Sequence, residues 1–220
     1  MSLNPFNERV LSRLHGSKIT KKHRKQAVIL EAFAQCLIEK GLADASYAAI
    51  GKYAGMEPPH IGYYFSTWNS MLDGSFRYVI AVGQEITVEG IAAANTPFEK
   101  LKAICDAPFD HLKRFPEHVA VLAAFQLECS RQRTYRGTHR SIRKQGQRRI
   151  KAILKQIIFD SEKTLKSELD LSSLSIAIQS LIVGYATEWM ATKSSSTTKA
   201  QGDVWKAVHT LINGAVEKQK

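Results

Sequence analysis

Residues 46–65 carry the tightest local constraint in this 220-residue chain. Ser46 can cap a short helix in which Ile50 and Ala54 face the same way. Ala54-Gly55-Met56 then calls for a sharp turn, since glycine takes the positive φ that other residues resist. Glu57-Pro58-Pro59 restarts a helix: proline is tolerated in a first turn, where its missing N–H would have no partner anyway. Short helix, glycine turn, short helix is the shape that lays a second helix in a DNA major groove.

The rest of the chain reads as helix throughout. Apolar residues recur at three- and four-residue spacing, with no sustained alternation that would argue for strands. Residues 1–20 read as a mobile arm. A first helix is expected over residues 21–40, with Ile29, Phe33, Cys36 and Leu37 on one side and Gly41 ending it. Two short helices follow near 46–54 and 58–65. A longer one runs from Trp68 to about Ala94, with Ser66 or Thr67 as cap. Thr96-Pro97 opens the next, which Pro108 should kink or end early. Pro116 opens another carrying Val119, Leu122, Ala123 and Phe125, and Ile150, Ile153, Leu154, Ile157 and Ile158 mark a further one. The last two helices are expected at about 171–192 and 203–217, with residues 193–199 as a polar loop between them.

Composition narrows the function classes. A hydrophobic content of 44% suffices for a real core. No run approaches the ~18 apolar residues of a membrane helix. Asn7, Glu8, Arg9 and Arg13 stand where the apolar core of a secretion signal would lie. Cys36, Cys105 and Cys129 are odd in number, far apart and without metal-ligand spacing, as expected of reduced thiols in a cytoplasmic protein.

The formal net charge is +11, and it is unevenly spread. Residues 131–155 hold ten Lys/Arg and no acid, whereas residues 71–130 hold five Lys/Arg against eight Asp/Glu. A polyanionic partner fits such a chain. The basic block itself has three readings: a solvated helix face, an auxiliary patch for the DNA backbone, or a site for an anionic effector. Arginine's planar fork suits the last two.

Little points to an enzyme. The chain has no glycine-rich phosphate loop, paired-cysteine motif, two-histidine metal helix or nucleophile elbow. His111 and His118, beside Asp110 and Glu117, are separated by Pro116 and do not read as a metal site. Neither a cofactor nor a metal is expected. An all-helical enzyme is the remote alternative.

The spacing of the head resembles TetR-family transcriptional regulators. Ile29-Leu30-Glu31-Ala32 through Glu39-Lys40-Gly41 looks like that family's first helix and its terminating glycine. Ile50, Ala54-Gly55-Met56, Tyr64-Phe65 and Leu72 fall, without a gap, where it places core, turn and junction residues. Gly41-x-x-Asp44-Ala45-Ser46, Ile61-Gly62-x-Tyr64-Phe65 and Asn69-x-x-Leu72 are similar to its BetI-like branch.

The resemblance, which covers about residues 24–72, implies an all-α protein: a three-helix head at 21–67 that binds DNA, and a C-terminal helical bundle at 68–220 that binds a small-molecule effector and dimerises. It implies a homodimeric repressor on a palindromic double-stranded operator. His60 and Tyr63 become candidates for base-edge contacts. Lys22, Arg24, Lys25, Ser46, Tyr47, Lys52, Pro58, Pro59, Tyr64 and Trp68 become candidates for backbone contacts or for shaping the surface. Phe109, Phe125, Tyr185 and Trp189 are pocket candidates. Leu174, Ile178, Leu181, Ile182, Val204, Val208 and Leu211 are dimer-face candidates.

Four positions depart from the family. Glu57 stands where Ser or Thr is usual, Pro58-Pro59 replaces a polar-Gly pair, and Trp68 replaces a phosphate-binding lysine. The alternative reading is therefore a head that has lost specific operator recognition and binds DNA non-specifically or a protein partner.

Overall fold

Helical periodicity becomes ten helices in a computed structural model that describes residues 5–161, 163–167, 169–193 and 195–218. They are α1 (Pro5–His15), α2 (Lys21–Asp44), α3 (Tyr47–Ala54), α4 (Pro58–Tyr64), α5 (Trp68–Ala92), α6 (Pro97–Arg114), α7 (His118–Arg131), α8 (Arg133–Asp160), α9 (Leu171–Thr192) and α10 (Thr197–Ala215). Two three-residue strands, β1 (Lys163–Leu165) and β2 (Val216–Lys218), pair antiparallel with Thr164 opposite Glu217. The sequence had suggested no strand.

Local chemistry explains most of the boundaries. Thr20 and His23 cap α2 reciprocally, each side chain bonded to the other's backbone N–H. Gly41, at φ 77°, breaks the helical run near its end as expected. Thr67 Oγ1 accepts from the Ser70 N–H at the start of α5, and Glu99 and Thr96 form the equivalent reciprocal cap at α6. Pro108 does not end α6, which continues to Arg114. Ser196 caps α10 through the Lys199 N–H, so that helix begins at Thr197, inside the segment expected as a loop. Ser194, from the same segment, lies outside the described residues.

The chain divides into two units. The first takes the described residues up to Glu85 together with Arg114–Gln132. Its core includes Ile29, Phe33, Ile50, Ile61, Met71, Phe76 and Val121, each at most 2% exposed. Burying one such side chain contributes about 1.5–3 kcal/mol.

The expected N-terminal arm is corrected here. Residues 1–4 lie outside the described residues, but α1 is a packed helix with Phe6, Val10 and Leu11 buried. Phe6 stacks on Phe115, and the Arg114 guanidinium sits 4.4 Å from its ring centroid. Arg9 Nε and Arg13 Nη2 bind the two carboxylate oxygens of buried Glu85 at 2.5 and 2.6 Å. Arg9 and Arg13, which stand where the apolar core of a secretion signal would lie, are thus the residues that dock the helix.

The second unit takes Ile86–Lys113 and Arg133–Lys220. In it α6, α8, α9 and α10 enclose Leu101, Cys105, Phe109, Ile150, Leu154, Ile178, Val204 and Val208. The dimer-face candidates Leu174, Ile178, Ile182, Val204 and Val208 all belong to this core, at 5% exposure or less. They are covered by their own chain and are not available to a second copy. Leu181 and Leu211 are partly buried against the same cluster. The large apolar residues that α9 does expose are Ile176, Val183 and Tyr185.

Candidate nucleic-acid interface

The reading head is built around the residue the sequence singled out. Ser46 Oγ accepts from the Ala49 N–H, 3.1 Å away, and starts α3. Gly55 ends it in the left-handed region at φ 62°, with its N–H returned to the Gly51 carbonyl. That same carbonyl also accepts from the Met56 N–H at 3.0 Å. Pro58 and Pro59 then occupy the first turn of α4, where their missing donors cost nothing. Glu57 makes no side-chain cap bond, but its carbonyl accepts from His60 N–H at 3.0 Å.

Ile50 and Ile61 are fully buried and hold the two short helices together. The Tyr47 hydroxyl donates to the Phe65 carbonyl at 2.7 Å, and Gln26 Nε2 donates to the Tyr64 carbonyl at 3.4 Å. These bonds fix the exit of α4.

Two close approaches went unread in the sequence. A Cβ on Gly51 would lie 2.4 Å from the Met56 carbonyl oxygen, and one on Gly74 would lie 3.0 Å from Phe65 Cε1. Glycine inside a helix is disfavoured, so each was a legible hint of a packing demand. The sequence does not say what the neighbour is.

His60 and Pro59 are exposed, and Tyr63 is 75% exposed, the largest exposure of any aromatic in the head. Lys22 Nζ stands 6.0 Å from the Tyr63 ring centroid. Lys25, Lys52, Met56, Pro58, His60 and Tyr63 line an open groove of about 940 Å3 along the face of α3 and α4. An exposed tyrosine and histidine flanked by flexible ammonium groups can meet base edges and phosphates respectively.

Other candidates have structural duties. Arg24 is paired with Glu8 of α1 at 2.9 Å. Tyr47 and Trp68 stack on each other, and Trp68 meets buried Phe33 edge-on. Tyr64 is half-buried with its ring against Tyr63. Tyr53, which the sequence did not nominate, donates to Glu39 Oε2 at 2.7 Å, and that bond pushes its phenol up to about 12.

The pocket candidates separate. Phe125 belongs to the first unit's core against Phe76, with ring centroids 4.5 Å apart. Phe109 and Trp189 meet edge to face at 5.5 Å in the second unit. Tyr185 is 40% exposed. Apart from Arg131, which ends α7, the basic block lies on α8, where Arg143 donates to Ser180 and Lys151 to Ser172 of α9. Arg133, Arg136 and Arg140 line a smaller cleft of about 310 Å3.

No protein-family profile matches the chain. It is 32% identical over 95 residues to the HTH-type transcriptional regulator BetI of Yersinia pestis, covering 42% of this chain and 48% of that protein. A BetI from Stenotrophomonas maltophilia is also 32% identical, over 88 residues. The chain spans about half the length of the curated relatives it matches.

Solved structures cover far more of it. A transcriptional regulator from Saccharomonospora viridis in complex with choline superposes with a TM-score of 0.74 over 89% of this chain and 99% of its own, at 14% identity. A TetR transcription regulator from Haloarcula marismortui gives 0.71 over 88% and 99%, at 16% identity. A TetR-family regulator from Cytophaga hutchinsonii gives 0.70 over 92% and 100%, at 18% identity.

Proposed function

We infer that this chain, which has the TetR-family fold, is a DNA-binding transcriptional regulator, a homodimeric repressor released by a small-molecule effector. One observation carries the reading: the turn at Gly55 and the proline start of α4 leave His60 and Tyr63 exposed on a helix flanked by Lys22, Lys25 and Lys52. Ammonium groups beside a short exposed helix supply counterion-releasing phosphate contacts, while the helix reads bases.

A head with one seven-residue reading helix gains affinity by engaging two half-sites. We place the dimer contact on the outer face of α9, where Ile176 and Val183 stand seven residues apart, two helical turns along one stripe. Ile176→Glu should turn a dimer into a monomer in sedimentation analysis without lowering helix content. A variant that stays dimeric would move the contact elsewhere. The choline in the Saccharomonospora viridis structure makes small organic cations reasonable first ligands to screen for release.

Fluorescence anisotropy with a palindromic fragment from the protein's own promoter region tests the function. Random DNA should compete poorly at moderate salt. His60→Ala should cost on the order of 1–3 kcal/mol and relax preference at one base position. Lys52→Ala should weaken binding evenly across sequences and reduce the salt slope by about 1. The proline pair and the acidic Glu57, both at the DNA-facing start of α4, favour a second reading: a head without sequence preference. Equal competition by random DNA is the result that selects it.

A further inference from the structure

We propose that Glu31, Glu117 and His118 form a binding site for a first-row divalent cation such as Zn2+, joining α2 to α7 within the first unit. His118 opens α7 and has no solvent exposure. Its ring lies parallel to Phe115 at 5.1 Å and edge-on to Tyr78 at 6.3 Å, which fixes the plane of the imidazole. In that plane Nε2 points at Glu31 of α2, 3.0 Å from Oε2.

A histidine–carboxylate hydrogen bond would account for two of these groups. Glu117 is the third, and a ligand atom from each of the three lies within 4.8 Å of the other two. Tetrahedral Zn2+ with bonds of about 2.0–2.2 Å sets neighbouring ligand atoms roughly 3.4 Å apart. The 3.0 Å pair therefore needs to open by a few tenths of an ångström, roughly, and the wider separations, up to 4.8 Å, need to close for all three groups to hold the ion.

The donor set selects the class of ion. An imidazole nitrogen favours zinc, copper, iron or nickel over magnesium or calcium, and with two carboxylates and no thiolate the site offers soft ions such as Cu(I) no preferred ligand. Tyr78, from α5, hydrogen-bonds Glu31 and is the outer partner that orients a ligating carboxylate. Glu31 and Glu117 are half-buried, so solvent reaches the two carboxylates and water can supply a fourth ligand. Because the ligands come from two helices, occupancy clamps the first helix of the head to α7 and stabilises the first unit by mass action.

The test uses the full chain stripped with a chelator and dialysed, then titrated calorimetrically with Zn2+, Mn2+ and Mg2+. His15 and His23 stack at 3.8 Å and Cys129 is half-buried, so His23→Gln and Cys129→Ser serve as controls for adventitious zinc. One Zn2+ per chain is expected in the wild type and both controls, with affinities falling in the order Zn2+, Mn2+, Mg2+. Glu117→Gln keeps the shape of a half-buried side chain and should weaken Zn2+ by at least the ~10- to 100-fold that loss of an outer partner costs. Zn2+ should also slow amide exchange around Glu31 and at the start of α7. His118→Gln should abolish binding; if it fails to fold, Glu117→Gln decides. Zn2+ binding of unchanged affinity in Glu117→Gln, or no heat in the wild type, overturns the proposal. Neither readout involves DNA, so the result stands apart from that of the operator experiment.

Discussion

Gly51→Ala should lower the melting temperature and abolish tight DNA binding, although alanine is the better helix former. By propensity alone the change would stabilise α3 by about 1 kcal/mol. The added Cβ, however, would sit 2.4 Å from the Met56 carbonyl oxygen, a backbone atom that no side-chain rotation can move aside. Relief requires the turn at Gly55 to open, which breaks the paired N–H bonds from Gly55 and Met56 to the Gly51 carbonyl. Overpacking of this kind costs about 1–3 kcal/mol or more, before the lost hydrogen bonds are counted. The net loss should be about 2 kcal/mol, or roughly 4–8 °C for a chain of this size. Affinity for the operator fragment should fall more than tenfold, roughly, since α4 loses its angle to α3.

Gly62→Ala is the internal control. Its nearest neighbour for a new Cβ is Tyr47 Cε2 at 3.9 Å, an ordinary contact, so it should stabilise α4 by roughly 0.5–1 kcal/mol. Equal melting temperatures for the two variants would refute the close approach at Gly51.

The second large effect belongs to Glu85, whose side chain is 4% exposed and carries both α1 arginines. Burial pushes its carboxyl up, but hydrogen bonds from Arg13 and Arg9 outweigh that and hold it below the usual carboxylate range. Cutting a buried pair costs about 3–5 kcal/mol, and here the arginines, 48% and 30% exposed, recover part of that from water. Glu85→Ala should therefore cost about 2 kcal/mol and release α1, seen as proteolysis after Arg9 or Arg13.

The sign of the pH dependence follows from the depressed value. The contribution of Glu85 is fully present above the unfolded carboxyl pKa and is lost as pH falls through the lower folded value. Wild-type stability should accordingly drop on acidification below about pH 4, and Glu85→Ala should lack that component. Parallel acid profiles for the two proteins would remove the role assigned to Glu85.

What the sequence disclosed, and what it withheld, follows a physical line. The helix-turn-helix scaffold was legible because Ser46, Gly55 and Pro58 act on their own backbone, within four residues. Helix α1 was missed because Arg9 and Arg13 find their acid more than seventy residues away. On α9 and α10 the spacing of Leu174, Ile178, Val204 and Val208 showed an apolar stripe correctly. It could not say whether the chain itself or a second copy covers that stripe. In the head, Tyr47, Trp68 and Arg24 had the chemistry for DNA contacts, and the structure spends them on Phe65, Phe33 and Glu8. Exposure separates Tyr63 and His60 from them, and exposure is a property of the fold.

The interleaving of the two units bears on how the chain is made. The first unit is closed by α7, so the head emerges from the ribosome well before the helix that completes its core. Between them the ribosome delivers residues 86–113, which belong to the other unit. That second unit waits longer still, because β1 finds its partner only when residues 216–218 have been translated. Vectorial synthesis thus holds apolar faces from both halves open at once. Nascent chains of this protein should depend on chaperone shelter until residues 216–218 have emerged, and the first unit, complete once α7 has emerged, should finish folding before the second.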